Sequence, residues 1–282
     1  MNKILIVFLA LLSAMFAACG GNQTVSNEMG VDSDFVADTV VADNDTVEQI
    51  VEETPMPKTA DELFDDFFFN FAANKRLQRE RISFPLPVLA DGEPTDSTIA
   101  KNTWQMDYFF MRQGYYTLIF NNRKQIDRVK DTSIGNVVVE KIYLEKDAIK
   151  EYIFERRNGL WTMTAINNTS IASSLHASFL EFYKHFASDM AFQTASIDES
   201  VKFVGPDPDD DFATMEGILA PDTWEAFAPE LPRKIIYNIE YGEQYAASNE
   251  KIFLLRGIAN GMETELTFRR KGNDWKIVSL TQ

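Results

Sequence analysis

The chain has 282 residues, with 43 acidic against 27 basic side chains and a formal net charge of −16. That balance argues against a nucleic-acid binder, which needs a basic face to displace phosphate counterions. One cysteine excludes a disulfide scaffold and a cysteine-built zinc site, and two histidines leave little room for a histidine-rich metal centre. At 45% hydrophobic and 12% aromatic, the chain can bury one core or two of about 110–140 residues each.

The chain opens Met1-Asn2-Lys3, followed by an apolar run from Ile4 to Leu12 and then Ser13-Ala14-Met15-Phe16-Ala17-Ala18-Cys19. One positive charge, a short hydrophobic stretch and small residues are the three regions of a secretory signal. The stretch falls short of the ~20 residues of a spanning helix. The cysteine after Ala17-Ala18 resembles the bacterial lipobox, which implies cleavage after residue 18 and acylation of Cys19. Acyl chains contribute ~0.8 kcal/mol per buried CH₂ and would anchor the protein. Gly20, where aspartate often retains such proteins in the inner membrane, points by analogy to the outer membrane, on either face.

Residues 19–58 read as a tether. From residue 20 to residue 63 there are eleven acids, and Lys58 is the one base; Phe35 is the one aromatic. Low hydrophobicity with high charge cannot offset the entropy of ordering, so this segment is expected to be disordered. About 40 flexible residues reach roughly 35–40 Å.

The rest of the chain carries an internal repeat. Phe64, Phe67, Phe71, Ala72, Gln78 and Ile82 recur 115 positions later as Phe179, Phe182, Phe186, Ala187, Gln193 and Ile197. Glu151, Phe154 and Trp161 recur 114 positions later as Glu265, Phe268 and Trp275. Two blocks in one order at nearly one offset predict two homologous domains, residues 59–168 and 169–282.

Each half begins with a helix. Phe64, Phe67 and Phe71 fall at i, i+3 and i+7 on one face, and Thr59 with Glu62 reads as a capping box. Strands are expected over Tyr115–Phe120, Val137–Leu144, Ile149–Arg156 and Leu160–Ile166, then over Ile235–Tyr241, Lys251–Arg256, Glu263–Arg270 and Trp275–Leu280. Arg157-Asn158-Gly159 and Lys271-Gly272-Asn273-Asp274 supply the closing turns. The expected class is α+β: two tandem cone-like domains, each an N-terminal helix packed on a curved antiparallel sheet.

The aromatic first helix and the closing hairpin, Phe268 through Trp275-Lys-Ile277 and more loosely Phe154 through Trp161, resemble the nuclear transport factor two-like (cystatin-like cone) superfamily. The whole chain also resembles bacterial envelope lipoproteins of unknown function. The resemblance implies a cavity between helix and sheet, and pairing of the two halves as an intramolecular pseudo-dimer in a monomeric body.

Chemistry-bearing residues are few. His185 lies beside the second phenylalanine stripe and is the one candidate base; His176, at the start of that helix, is the weaker. Asp207, Asp209 and Asp211 occupy positions 1, 3 and 5 of a calcium loop, but position 6 is Phe212 and position 12 is Ile218, so an EF-hand is excluded. They and His185 stand as candidate binding residues. Trp104 and Trp224, 120 positions apart, read as core. No Ser–His–Asp arrangement, phosphate-binding glycine loop or zinc motif is present in the local sequence, and no cofactor is expected.

The expected function is therefore a non-enzymatic, lipid-anchored envelope protein, held to the membrane by its N-terminal lipid. It would bind a small apolar ligand, a glycan or an envelope protein, and no nucleic acid. The alternatives are an isomerase, dehydratase or hydrolase with His185 as base, and a structural subunit of an envelope complex.

Overall fold

Four aromatic rings on one helical stretch set the first layer of the body. In the computed structural model the described residues are 61–207, 209–242, 248–258 and 260–282. The signal segment, Cys19 and the tether lie outside them. Helix α1 (Phe64–Ala73) buries Phe64, Phe67, Phe68 and Phe71. Its N-cap position is Leu63, which makes no side-chain cap bond, so the Thr59–Glu62 box does not start this helix; Thr59 is outside the described residues. Asp65 and Asp66 in the first turn complement the helix dipole instead.

The chain then breaks at Asn74, whose side chain accepts from the Leu77 N–H at 2.8 Å and starts α2 (Lys75–Arg81). A short helix, α3, spans Arg123–Ile126. The second half repeats the broken pair as α4 (Ala177–Ser188) and α5 (Met190–Ala195), with Asp189 accepting from the Phe192 N–H at 3.1 Å.

Twelve strands follow the same plan: β1 Leu86–Ala90, β2 Glu93–Ile99, β3 Tyr115–Phe120, β4 Asn136–Tyr143, β5 Ala148–Arg157 and β6 Leu160–Ser170. The second set is β7 Ile197–Asp207, β8 Asp210–Leu219, β9 Ile235–Tyr241, β10 Glu250–Gly257, β11 Glu263–Lys271 and β12 Asp274–Thr281. They form two six-stranded sheets, β2-β1-β6-β5-β4-β9 and β8-β7-β12-β11-β10-β3. The two orders are equivalent position by position. Each sheet is antiparallel except at one pairing, β1 with β6 and β7 with β12, which run parallel.

The last strand of each sheet comes from the other half of the sequence. β9 pairs with β4, and β3 pairs with β10. The two exchanged strands are tied to each other: the Tyr237 N–H donates to the Thr117 hydroxyl oxygen at 2.9 Å, and the Ile119 N–H donates to Asn238 Oδ1 at 2.8 Å. The strand exchange joins the two halves through both backbone ladders and side chains.

Both cores are aromatic. Rings of Phe64, Phe67, Phe68 and Phe71 surround Phe154 at centroid distances of 5.3, 6.0, 5.7 and 5.3 Å. Phe268, the counterpart of Phe154, meets Phe179, Phe182 and Phe186 at 5.3, 5.6 and 5.1 Å. Each fully buried phenylalanine contributes about 1.5–3 kcal/mol, with about 0.5–1.5 more per ring pair. The phenylalanine stripes are core, as their spacing predicts. Among the described residues no helix is long and apolar enough to cross a membrane.

Candidate functional site: a cationic pocket and a buried polar network

The fold leaves a pocket of about 710 Å³ in the first half, between the segment that follows β2 and the inner face of β4 and β5. Gln78 on α2 fixes its rim. Its Oε1 accepts from the Trp104 indole N–H at 3.1 Å and from the Asp107 N–H at 3.2 Å, while its Nε2 donates to the Asp107 carbonyl at 2.7 Å. Phe109 completes the rim at φ 47, a left-handed conformation that costs a bulky residue energy. Its ring is held 4.9 Å from Phe68 and 4.7 Å from Tyr152.

Among the described residues three cations line this pocket, Arg112, Lys141 and Lys150, and one carboxylate, Asp107. Asp107 already accepts from the Tyr152 hydroxyl and from the Phe109 N–H at 2.9 Å. Lys141 reaches Asp107 only at 3.9 Å. Among the described residues Lys150 and Arg112 form no ion pair: the Lys150 ammonium lies 4.7 Å from the Tyr152 ring centroid, and the Arg112 guanidinium 3.4 Å from that of Tyr108. Burial lowers the pKa of Lys150 and outweighs the attraction of Asp107; the Lys141 charge pushes it the same way as burial. Burial, reinforced by Asp107, holds the Tyr152 phenol neutral, as a donor.

The second half does not repeat this chemistry. Its ladder sets Leu255 opposite Thr264 where β4 and β5 set Lys141 opposite Lys150. Leu255, Thr264 and Leu266, the counterparts of Lys141, Lys150 and Tyr152, are all buried. The counterpart of the Gln78–Trp104 bond does persist, with Trp224 donating to Gln193 Oε1 at 2.9 Å. Structure is shared between the halves while the polar pocket belongs to the first.

A second polar cluster is buried between the sheets. The Lys251 ammonium donates to His176 Nδ1 at 2.6 Å and to Asn121 Oδ1. His176 then carries its proton on Nε2 and donates it to Glu240 Oε1 at 2.6 Å. Asn238 Nδ2 bridges Glu240 Oε1 at 2.8 Å and Glu140 Oε2 at 2.7 Å. Burial, together with the neighbouring Glu240 charge, raises the Glu140 pKa well above the ordinary carboxylate range. For Glu240 burial works upward but is outweighed by the His176 bond and its other partners, so its pKa is lowered. Burial brings Lys251 down to about 8.

Ligand atoms of Glu140, His176 and Glu240 lie within 4.8 Å of one another, as a metal site would require. The donor set fits a metal poorly. His176 Nε2 is engaged by Glu240, and metal there would force the ring proton onto Nδ1, against the Lys251 ammonium. A protonated Glu140, an ionised Glu240 and a charged Lys251 already sum to zero. The cluster is a self-neutralised structural network.

The candidates read from sequence fall elsewhere. His185 is exposed on α4 and lines an open depression of about 490 Å³ with Phe182, Phe192 and Trp275. Among the described residues its ring has no hydrogen-bonded carboxylate. Asp207 and Asp209 form the tip of the β7–β8 hairpin, not a loop: the Asp209 N–H donates to Asp207 Oδ1 at 2.9 Å, which closes the turn. Asp211 belongs to the start of β8, and its side chain lies outside the described part of the chain. None of the four lines the pocket, and His176, the weaker histidine by sequence, is the one that is buried and partnered.

Lys141 and Lys150 do carry a sequence signal. Lys141 shares its strand face with the core residues Val137 and Val139, and Lys150 shares one with Tyr152 and Phe154. A charge in the buried parity of a strand marks a place where it is paired in the interior or where the core opens.

The family described as "Domain of unknown function (DUF4348)" matches residues 43–282. A crystal structure of an NTF2-like protein from Bacteroides fragilis NCTC 9343 is similar at 42% identity with a TM-score of 0.72, covering 80% of this chain and 98% of that one. The fold is thus NTF2-like. No curated protein matches the chain.

Proposed function

The chain belongs to the DUF4348 family, and we propose that it is a lipid-anchored protein of the cell envelope whose body binds a small molecule without transforming it. The observation that carries this reading is the asymmetry of the halves: an open pocket of about 710 Å³ with inward-facing polar groups in one, and buried Leu255 and Leu266 at the corresponding places in the other. That volume falls within the range of small-molecule sites. The body is a duplicated pair closed on itself by the exchange of β3 and β9, an intramolecular pseudo-dimer that is monomeric in solution. Cys19 carries the lipid, the acidic segment spaces the body from the headgroups, and the outer membrane is the proposed location.

The acid–base alternative centred on His185 gains nothing from the geometry, because a general base needs an oriented partner and this ring is exposed without one among the described residues. Native mass spectrometry of the full chain, purified in detergent from a bacterial envelope, tests both parts of the reading. The expected spectrum shows acyl mass on Cys19 and a small-molecule adduct that is lost when the pocket is blocked by Thr98→Trp. Unmodified Cys19 would overturn the anchor, and no adduct in either protein would overturn the ligand site.

A further inference from the structure

On β4 and β5, Lys141 and Lys150 are direct cross-strand partners. Like charges placed directly opposite on one face of a sheet destabilise it. Both side chains face the pocket and are half-buried, so solvent screens their repulsion only in part. Arg112, from the segment that follows β2, adds a third cation to the same pocket. The carboxylate among them, Asp107, bonded by the neutral Tyr152 phenol and 3.9 Å from Lys141, offsets one of the three charges and leaves the other two unbalanced. The folded body itself is net acidic, at −7 over residues 64–282, so an excess of cations gathered in one concavity is the reverse of its background.

We infer that the pocket binds a small organic oxyanion, a carboxylate, phosphate ester or sulfate ester on a body of about monosaccharide size, with its charged end between Lys141 and Lys150. This rests on the ligand-binding reading above and names the ligand class. An anion in that place would turn the repulsion between two lysines into two charge-assisted hydrogen bonds. Asp107 stays with Tyr152, and Thr98 and Gln105 line the remainder of the pocket, beside the uncharged part of the ligand. The empty protein carries the cost of the lysine pair, which the ligand removes.

Isothermal titration of the full chain in detergent with four matched probes tests this: D-glucuronate, D-glucose 6-phosphate, D-glucose 6-sulfate and neutral D-glucose. At least one charged probe is expected to bind about tenfold or more tightly than glucose, as charge-assisted bonds require, and to weaken as salt is raised. Which of the three is preferred identifies the anion. Lys150→Met, with Lys141→Met as a second variant, is expected to remove the preference while raising the ligand-free melting temperature by about 2 °C or more. Glucose binding as well as the charged probes would overturn the oxyanion and leave a ligand pocket standing. Failure of all three anions to bind would overturn it whatever the variants do. Absence of any adduct in the native spectrum is the separate result that removes the reading beneath it.

Discussion

Lys251 and His176 meet at 2.6 Å in the interior, an ammonium donating to an imidazole nitrogen. The contact fixes the tautomer of the ring, orients its other nitrogen on Glu240 and ties β10 to the start of α4. Removing the Lys251 ammonium leaves the Glu240 charge buried without its counter-charge and His176 Nδ1 without its donor. Lys251→Met is therefore expected to destabilise the protein by about 3–5 kcal/mol, measured by urea denaturation. A loss below about 1 kcal/mol would show that the network is not holding the halves together.

Glu140 gives that network a pH dependence. Its folded pKa is raised by burial and by Glu240, so the folded state keeps a proton that the unfolded state gives up. Stability is then full at low pH and falls as pH rises toward the folded value. Glu140→Gln keeps an amide in hydrogen-bonding reach of Asn238 and removes the titration. The variant should gain on the wild type steadily from about pH 5 upward, the lower limit set by the ordinary glutamate pKa. Parallel stability curves for the two proteins would contradict the assignment.

Asp65 on α1 makes the same argument at a second place. It accepts from the Tyr241 hydroxyl at 2.6 Å, and burial raises its pKa to about 6 against the lowering effect of that bond and of Arg256. The sign is that of a raised acid: stability is present below about pH 4, the ordinary aspartate value, and is lost as pH rises through about 6. Between about pH 4 and pH 7 the wild type should lose about 2–3 kcal/mol relative to Asp65→Asn, since each tenfold change in proton affinity is worth ~1.4 kcal/mol. Urea denaturation of both proteins across that range checks it, and an equal response to pH would contradict it.

Gln78 and Gln193 occupy one structural position with different burdens. Both accept from a tryptophan indole, but Gln78 also holds the backbone of Asp107 on both sides. Gln193→Leu should cost about 1–2 kcal/mol, and Gln78→Leu about 2–3 kcal/mol. Only the second should weaken ligand binding, because only the first half carries the pocket rim. By contrast, His185→Ala and Asp209→Ala should change stability by no more than about 0.5 kcal/mol and leave binding unchanged.

Much of the fold is legible in the sequence because its signals are local. The phenylalanine stripes at 64, 67, 71 and 179, 182, 186 follow helical spacing, and eight strands show in the apolar runs. Strands β1, β2, β7 and β8 are not legible. β2 is exposed along nearly its whole length and so shows no alternation, and the acidic run at 207–211 reads as a loop because the hairpin tip and the strand ends beside it are all aspartate-rich. The exchange of β3 and β9 is hidden too: both strands are buried on both faces, so neither face marks a sheet, and only long-range pairing decides which they join. The weight of His176 is hidden for the same reason, since its partners lie 64 and 75 positions away. The lysine pair is visible in strand parity, where the face a charge occupies says more than the residue type that carries it.

Whether the ligand sits between Lys141 and Lys150 is decided by following the backbone amide chemical shifts of the full chain as the best-binding charged probe is added. Saturable changes are expected at Thr103, Asp107, Lys141 and Lys150, with the amides around His185 and Trp275 unmoved. Changes centred on the His185 depression, with the lysine pair silent, would contradict the site.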